Sequence, residues 1–165
     1  MLIKISKHLP YKICLLNESH VLLVLNVYKS NPAYFEACPP APNENSVLHD
    51  IQALPPLCSK EQKQYMGVFK NNTLLAVIDL ILHFPSKSIL WIGLLMVNGS
   101  VRGQGLGKQI LQAIELSAKE LGLDAIQLGC MQKNTPALQF WKAMGYAPTK
   151  RTGTATDVII LEKQI

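Results

Sequence analysis

The sequence predicts one α/β domain, of the α+β type, with a mostly antiparallel sheet flanked by helices. Three observations carry that prediction. Residues 64–97 hold three apolar runs joined by short turns, the pattern of an antiparallel meander. Residues 106–121 carry an apolar stripe at helical spacing, closed by Gly122. A strand, a capped helix and a last strand then fill the chain to residue 165. The length suits a single domain, 1–165, with a sizeable core, and no repeat or linker marks a second.

In chain order, "KICLLN" (12–17) reads as a first strand. "ESHVLLVLNVYKS" (18–30) has poor periodicity and fits helix or strand. Residues 31–58 contain six prolines around two short helical segments, 33–37 and 46–54, which predicts a lid or wall. "QYMGVFK" (64–70), "LLAVIDLILHF" (74–84) and "ILWIGLLMV" (89–97) are the meander strands. The last two are apolar on both faces and should be central, covered on each side. In the helix that follows, Leu106, Ile110, Ile114 and Leu121 form the stripe with Ala113 and Ala118. Glu115 and Lys119 are spaced for an i,i+4 pair on the wet side. "AIQLGCM" (125–131) is a strand. "NTPALQFWKAMGY" (134–146) is a helix with Thr135 at its cap, Pro136 at its first position and Gly145 past its end. "DVIILEKQI" (157–165) is the closing strand.

Bulk properties narrow the function. A net charge of +5 is modest, and the sixteen Lys and Arg are scattered, which excludes a dedicated nucleic-acid stripe and leaves room for a small polyanion. The four cysteines form no C-x-x-C pair and no Cys/His cluster, so neither zinc nor a redox pair is expected, and reduced thiols suit a cytoplasmic protein. The N-terminal apolar stretches are broken by His8, Pro10, Asn17, Glu18 and His20, so no signal peptide is expected. The longest apolar segment, 74–82, is half a membrane span and contains Asp79, so no membrane association is expected.

The chemistry-bearing stretch is "NGSVRGQGLGKQILQ" (98–112). A strand, a Gly-rich turn and a helix make an anion site, because the first helical amides lack intrahelical partners and the helix dipole favours negative charge there. Gly103, Gly105 and Gly107 keep side chains away from those amides. The spacing is not G-x-G-x-x-G, and the following strand ends without an acid for a ribose, which disfavours a dinucleotide fold. Gly107-Lys108 is followed by Gln109, so no Walker motif is present.

What fits is R-x-x-G-x-G, read as Arg102, Gly105 and Gly107. With "IGLLMVNGSVRGQGLGKQIL" and the run Asn134, Ala137, Leu138, Phe140, Trp141, Gly145, Tyr146, the chain resembles the GNAT superfamily of acetyl-CoA-dependent N-acetyltransferases. The resemblance covers residues 65–165, and residues 1–60 would supply the first strand and substrate-side helices. It implies a six- to seven-stranded sheet, splayed at the acetyl-CoA cleft and flanked by about four helices. It implies acetyl-CoA as acyl donor, with no metal, and an amine as acceptor. The amides of residues 103–108, from Gly103, Gln104, Gly105, Leu106, Gly107 and Lys108, would receive the pyrophosphate beside Arg102. Backbone groups of Leu95, Met96 and Val97 would pair with the pantetheine arm, as a strand pairs with an edge. One of those amides, that of Leu95, would stabilise the thioester oxygen. Asn134 would contact the carrier, or else cap the helix that starts at Pro136.

The resemblance has two departures. Trp141 stands where the family often has a Tyr acid, and an indole delivers no proton, so Trp141 is read as a wall of the acyl cavity or as core. Gly129 stands where some members place a Glu. Asp79 and His83 are the ionisable alternatives on strand 74–84. They share a face about 13 Å apart. Asp79 would take the amine's proton through water, bind the substrate's charge, or be a structural carboxylate. His83, near a turn, would be a second site group or simply solvated. Tyr34, Phe35 and prolines 39, 40 and 42 would shape the acceptor pocket.

The expected activity is therefore acetyl transfer from acetyl-CoA to a primary amine of a small molecule, by direct attack in a ternary complex, in a monomer or homodimer. Its competitors are a non-catalytic acyl-CoA-binding module and an acetyltransferase acting on a protein amine.

Overall fold

Among the described residues seven strands are built where apolar runs alternate with turns: β1 (Lys12–Leu15), β2 (Lys63–Lys70), β3 (Thr73–Leu82), β4 (Ile89–Val97), β5 (Ala125–Met131), β6 (Ala147–Pro148) and β7 (Val158–Gln164). A computed structural model describes residues 5–149 and 157–165. The strands form one sheet in the order β1-β2-β3-β4-β5-β7-β6. Neighbours run antiparallel except β4 and β5, which are parallel. The β2–β3 turn places Asn71 and Asn72 at φ +48° and +63°, the left-handed pair that a tight hairpin needs and that asparagine tolerates.

Five α-helices cover the sheet among the described residues: α1 (Val21–Lys29), α2 (Pro32–Ala37), α3 (Glu44–Gln52), α4 (Leu106–Glu120) and α5 (Thr135–Ala143). The ambiguous segment 18–30 is helical. Asn17 caps a short 3-10 turn ahead of it, accepting from the Ser19 amide at 3.0 Å while its own amide donates to His20 Nδ1 at 3.1 Å. Val21, Val24, Leu25 and Tyr28 then turn one buried face to the sheet. Helix α3 starts two residues earlier than its sequence suggests, because the Asn43 side chain accepts from the Ser46 amide at 2.9 Å.

The central strands are apolar on both faces because a core lies on each side. Ile78, Leu80 and Leu82 of β3 join Ile110, Leu111 and Ile114 of α4 in one cluster. Val77 joins Val24, Tyr28 and Val47 in the other. Each such aliphatic side chain removed from water contributes roughly 1.5–3 kcal/mol. The predicted i,i+4 partner of Glu115 is replaced by a distant one: Lys163 of β7 donates to both carboxylate oxygens at 2.8 Å. Strand β3 ends at Leu82. His83 has φ +58° and leaves the pleat, so it does not continue the face of Asp79.

Candidate active site

The parallel ladder between β4 and β5 runs only from Ile89↔Ala125 to Ile92↔Leu128. Beyond it the two strands part. Gly93 is an extra residue at this point, since β3 pairs Asp79 with Leu94 and Leu80 with Ile92. Past the bulge, β4 stays paired with β3 on one edge alone. The Asn98 amide donates to the Leu75 carbonyl of β3 at 2.7 Å. Main-chain groups of successive residues alternate in direction, so Met96 faces β3 as well, while Leu95 and Val97 face the gap. The Val97 carbonyl is taken by Asn31 Nδ2 at 3.1 Å. The Leu95 amide and carbonyl and the Val97 amide are thereby aimed into an open cleft.

That cleft has a volume of about 460 Å³, within the ~300–1,000 Å³ typical of ligand sites. At its far end stands the N-terminus of α4. Its cap residue is Gly105 at φ +80°, which makes no side-chain capping bond, and Gly103 is at φ +77°. A Cβ at either glycine would meet nothing within 4 Å. These two glycines are needed for their left-handed backbone and leave the concavity in front of the helix amides clear. Gly107 acts differently: its Cβ position lies 3.6 Å from Val97 and 3.7 Å from Phe140, so the helix start packs close to the strand and to α5.

Arg102 and Lys108 are the cleft's charged lining residues. Arg102 is engaged on the protein side, donating to Asn31 Oδ1 at 2.6 Å and to the Ser30 carbonyl at 3.2 Å. Ser30 Oγ also accepts from the Gly99 amide at 2.8 Å. The loop is thus tied to the end of α1, and the buried Asn31 is the tie's centre. Sequence reasoning missed Asn31, whose partners lie 66 and 71 positions away.

A cavity with uncapped helix amides at one end and outward-facing strand amides along one wall suits a long, anionic carrier. The sequence profile of the Acetyltransferase (GNAT) family matches residues 26–146. The chain belongs to that family. No curated protein sequence matches it. Among solved structures, an acetyltransferase from Thermus thermophilus aligns with a TM-score of 0.80 at 19% identity, over 96% of this chain and 99% of its own. The PaiA N-acetyltransferase from Thermoplasma acidophilum, solved in complex with coenzyme A, aligns at 0.71 and 16%, over 95% and 100%. The ribosomal-protein-S18-alanine N-acetyltransferase from Escherichia coli aligns at 0.67 and 14%, over 94% of each chain. The chain is a GNAT acyltransferase, and its seven-stranded, splayed sheet is that of the fold.

The residues that the sequence marked for the donor come together in this GNAT cleft, Leu95, Met96, Val97, Asn134 and Trp141 among them; Gln104 is the one that does not line it. Asn134, not Thr135, caps α5, its Oδ1 accepting from the Ala137 amide at 3.3 Å. Trp141 is 7% exposed and packs edge-on between Phe140 and Tyr146. Tyr146 is buried and donates to Glu115 at 3.3 Å, outside the cleft lining. At Gly129 a Cβ would come within 3.0 Å of Val158, so a Glu has no room there without movement of β7. Burial pushes the neighbouring Cys130 thiol up to about 11, which leaves it a protonated group and no nucleophile at neutral pH.

Asp79 lines neither this cleft nor the smaller cavity beside it. It is not isolated, and its partner is not the backbone: both oxygens accept from Lys63 Nζ at 2.8 Å. Burial nevertheless holds its carboxyl above the usual range, outweighing the Lys63 cation. Its Oδ2 sits 2.5 Å from where a Cβ would stand on Gly93, so the carboxylate braces the bulge. His83 is bonded through Nδ1 to the Lys87 carbonyl in the β3–β4 turn.

A second cavity, of about 210 Å³, adjoins the cleft. Tyr34 lines both, and Leu94 of the second stands next to Leu95 of the first. Tyr34, Phe35, Pro39 and Pro40 line it, whereas Pro42, which the sequence grouped with them, lines neither cavity. Tyr28 and Asp50 are there as well, and no local signal marked them. Tyr28 donates to Asp50 Oδ2 at 2.8 Å and shares a 2.7 Å hydrogen bond with the Tyr65 hydroxyl. Burial raises Tyr28, Tyr34 and Tyr65, so all three hydroxyls keep their protons.

Proposed function

We propose that this protein transfers the acetyl group of acetyl-CoA to a primary amine of a small molecule, by direct attack within a ternary complex. The observation that carries the reading is the gap past Ile92, where the Leu95 amide faces an open cleft that ends on the uncapped amides of α4. Acetyl-CoA supplies an activated acyl group and a stable thiolate leaving group. The amides of Leu106, Gly107 and Lys108, with the Lys108 cation, suit its diphosphate. Arg102 holds the loop in shape through Asn31. The Leu95 carbonyl and Val97 amide suit the carrier's arm, as an edge strand takes a partner. The Leu95 amide, fixed in the strand beforehand, stabilises the oxygen on which negative charge develops during attack.

Proton transfer asks little of the chain. A thiolate whose conjugate acid has a pKa near ~8.5 departs without an acid, which fits the Trp141 position, and the proton that nitrogen sheds on becoming the amide passes through water to that thiolate. The amine, with a pKa near ~10, enters as its neutral minority, at a cost of about 4 kcal/mol at pH 7. Asp79, bound by Lys63, is given no proton in this scheme. The expected signature is a kcat/KM that climbs about tenfold per pH unit toward the amine's own pKa. A plateau well below it would bring a protein base back into the mechanism.

Calorimetry with CoA and a thiol-release assay over a panel of primary amines test the reading together. Binding with amine-dependent thiol release is expected; absence of CoA binding overturns it. The Trp141 and Gly129 departures favour a second reading, a non-catalytic acyl-CoA-binding module. Tight CoA binding without turnover on any amine would select that one. Turnover of a peptide amine in preference to every small amine would select acetylation of a protein amine instead.

A further inference from the structure

The two adjoining cavities carry opposite charge. Arg102 and Lys108 line the cleft, while among the described residues Asp50 is the one charged residue lining the second cavity. Among the described residues no Lys or Arg pairs with Asp50. Its neighbours are the Tyr28 hydroxyl on Oδ2 and the exposed His49 Nδ1, 3.6 Å from Oδ1. The side chain is 43% exposed, so it is fixed by a hydrogen bond yet open to a ligand. Around it stands a continuous aromatic wall: Tyr28 and Phe35 have ring centroids 5.4 Å apart, and Phe35 and Tyr34 4.9 Å. A fixed carboxylate beside aromatic faces is the chemistry that holds an organic cation.

The charge held there is not the one that reacts. A carboxylate contact favours the protonated ammonium, whereas the attacking amine has to be neutral. An acceptor that satisfies both cavities therefore has two amines joined by a short apolar chain.

We propose that the second cavity is a cation pocket for a small diamine: Asp50 holds the non-reacting ammonium while the other amine reaches the cleft past Tyr34. The proposal rests on the acetyl-transfer reading for its second half only. A lone amino acid fits poorly, because among the described residues no cationic side chain lines the cavity to take its carboxylate.

The test compares 1,4-diaminobutane and 1,5-diaminopentane with 4-aminobutan-1-ol and 4-aminobutanoate, using the full chain saturated with CoA for calorimetry and with acetyl-CoA for thiol release. The diamines are expected to bind and turn over about tenfold better, or more, than the amino alcohol, with aminobutanoate last. D50N is expected to bring diamine and amino alcohol within about threefold of each other. D50E, which restores the charge, is expected to recover the preference. An unchanged CoA affinity reports that the variants are folded. An undiminished diamine preference in D50N overturns the proposal, as does wild-type use of the amino alcohol, or of a peptide's single amine, as readily as the diamine. Asp50-dependent diamine binding without any thiol release would keep the cation pocket and reject acetyl transfer. Thiol release from monoamines and diamines alike would do the reverse.

Discussion

The cleft and the second cavity share Tyr34 and consecutive residues of β4, but they are assembled in opposite ways. The groups proposed to grip the carrier come from one stretch of chain, residues 95–108, and most are backbone amides, while side chains from α5 and the start of α2 complete the lining. The second cavity takes Tyr28 from α1, Tyr34 and Phe35 from α2, Asp50 from α3 and Leu94 from β4, and its polar groups are side chains. Backbone donors are set by local conformation, which glycine spacing and helix caps control. Side-chain constellations are set by which elements pack together. One region can therefore be damaged at single positions with the fold intact, while the other is coupled to the packing around it.

The largest expected effect tests what the shared wall rests on. Asp79→Ala leaves the Lys63 cation buried without its partner and is expected to lower stability by about 3–5 kcal/mol, read as a fall in Tm of roughly 6–20 °C. The paired change Lys63→Met with Asp79→Leu should restore most of the loss. If Asp79→Ala instead abolished turnover at a temperature where it is folded, Asp79 would belong to the chemistry and not to the scaffold. Next is the local region. Gly103→Ala with Gly105→Ala forces two left-handed residues at about 1–2 kcal/mol each, so CoA affinity should fall by about 30- to 1,000-fold. Both positions face open space, so the unliganded loop is expected to relax out of the left-handed conformation and to meet the strain on binding; Tm should therefore fall less than the affinity does.

Asn31→Ala cuts the tie between the regions. It removes the acceptor of Arg102 and the donor to Val97, and CoA affinity should drop about tenfold in calorimetry. A comparable loss of diamine preference with CoA binding intact would place Asn31 with the acceptor side instead. A smaller effect lies in the pH dependence. Burial raises the folded carboxyl of Asp79, so the folded chain holds that proton more tightly than the unfolded one. Its contribution is present below the unfolded value, near ~4, and is lost as pH rises from there through the folded value. Chemical denaturation of Asp79→Asn should lack that decline. The smallest effect separates the predicted ion pair from the real one. Lys163→Ala should cost about 1 kcal/mol through Glu115, and Lys119→Ala less than about 0.5 kcal/mol.

How far the sequence could be read follows the same division. The meander, the stripe of α4 and its closure at Gly122 were legible because each depends on neighbours within a few residues. Segment 18–30 was ambiguous because its helix is decided by a cap at Asn17 and by burial against β3, not by a clean period. Glu115 was given Lys119, four residues on, and takes Lys163, because β7 brings a cation that no local pattern announces. Asp79 stood out as a lone acid in an apolar strand, and the partner that explains it lies sixteen residues back on β2.

By itself the sequence determined the elements and the anion-binding turn, since φ preferences, helix periodicity and capping are short-range properties of the chain. Only the tertiary structure decided that β4 parts from β5 after Ile92, that Asn31 ties Arg102 to Val97, and that Asp50 sits among aromatic rings beside the cleft. Those are contacts between residues far apart along the chain, fixed by how two cores close on the faces of one sheet, and no local preference encodes them.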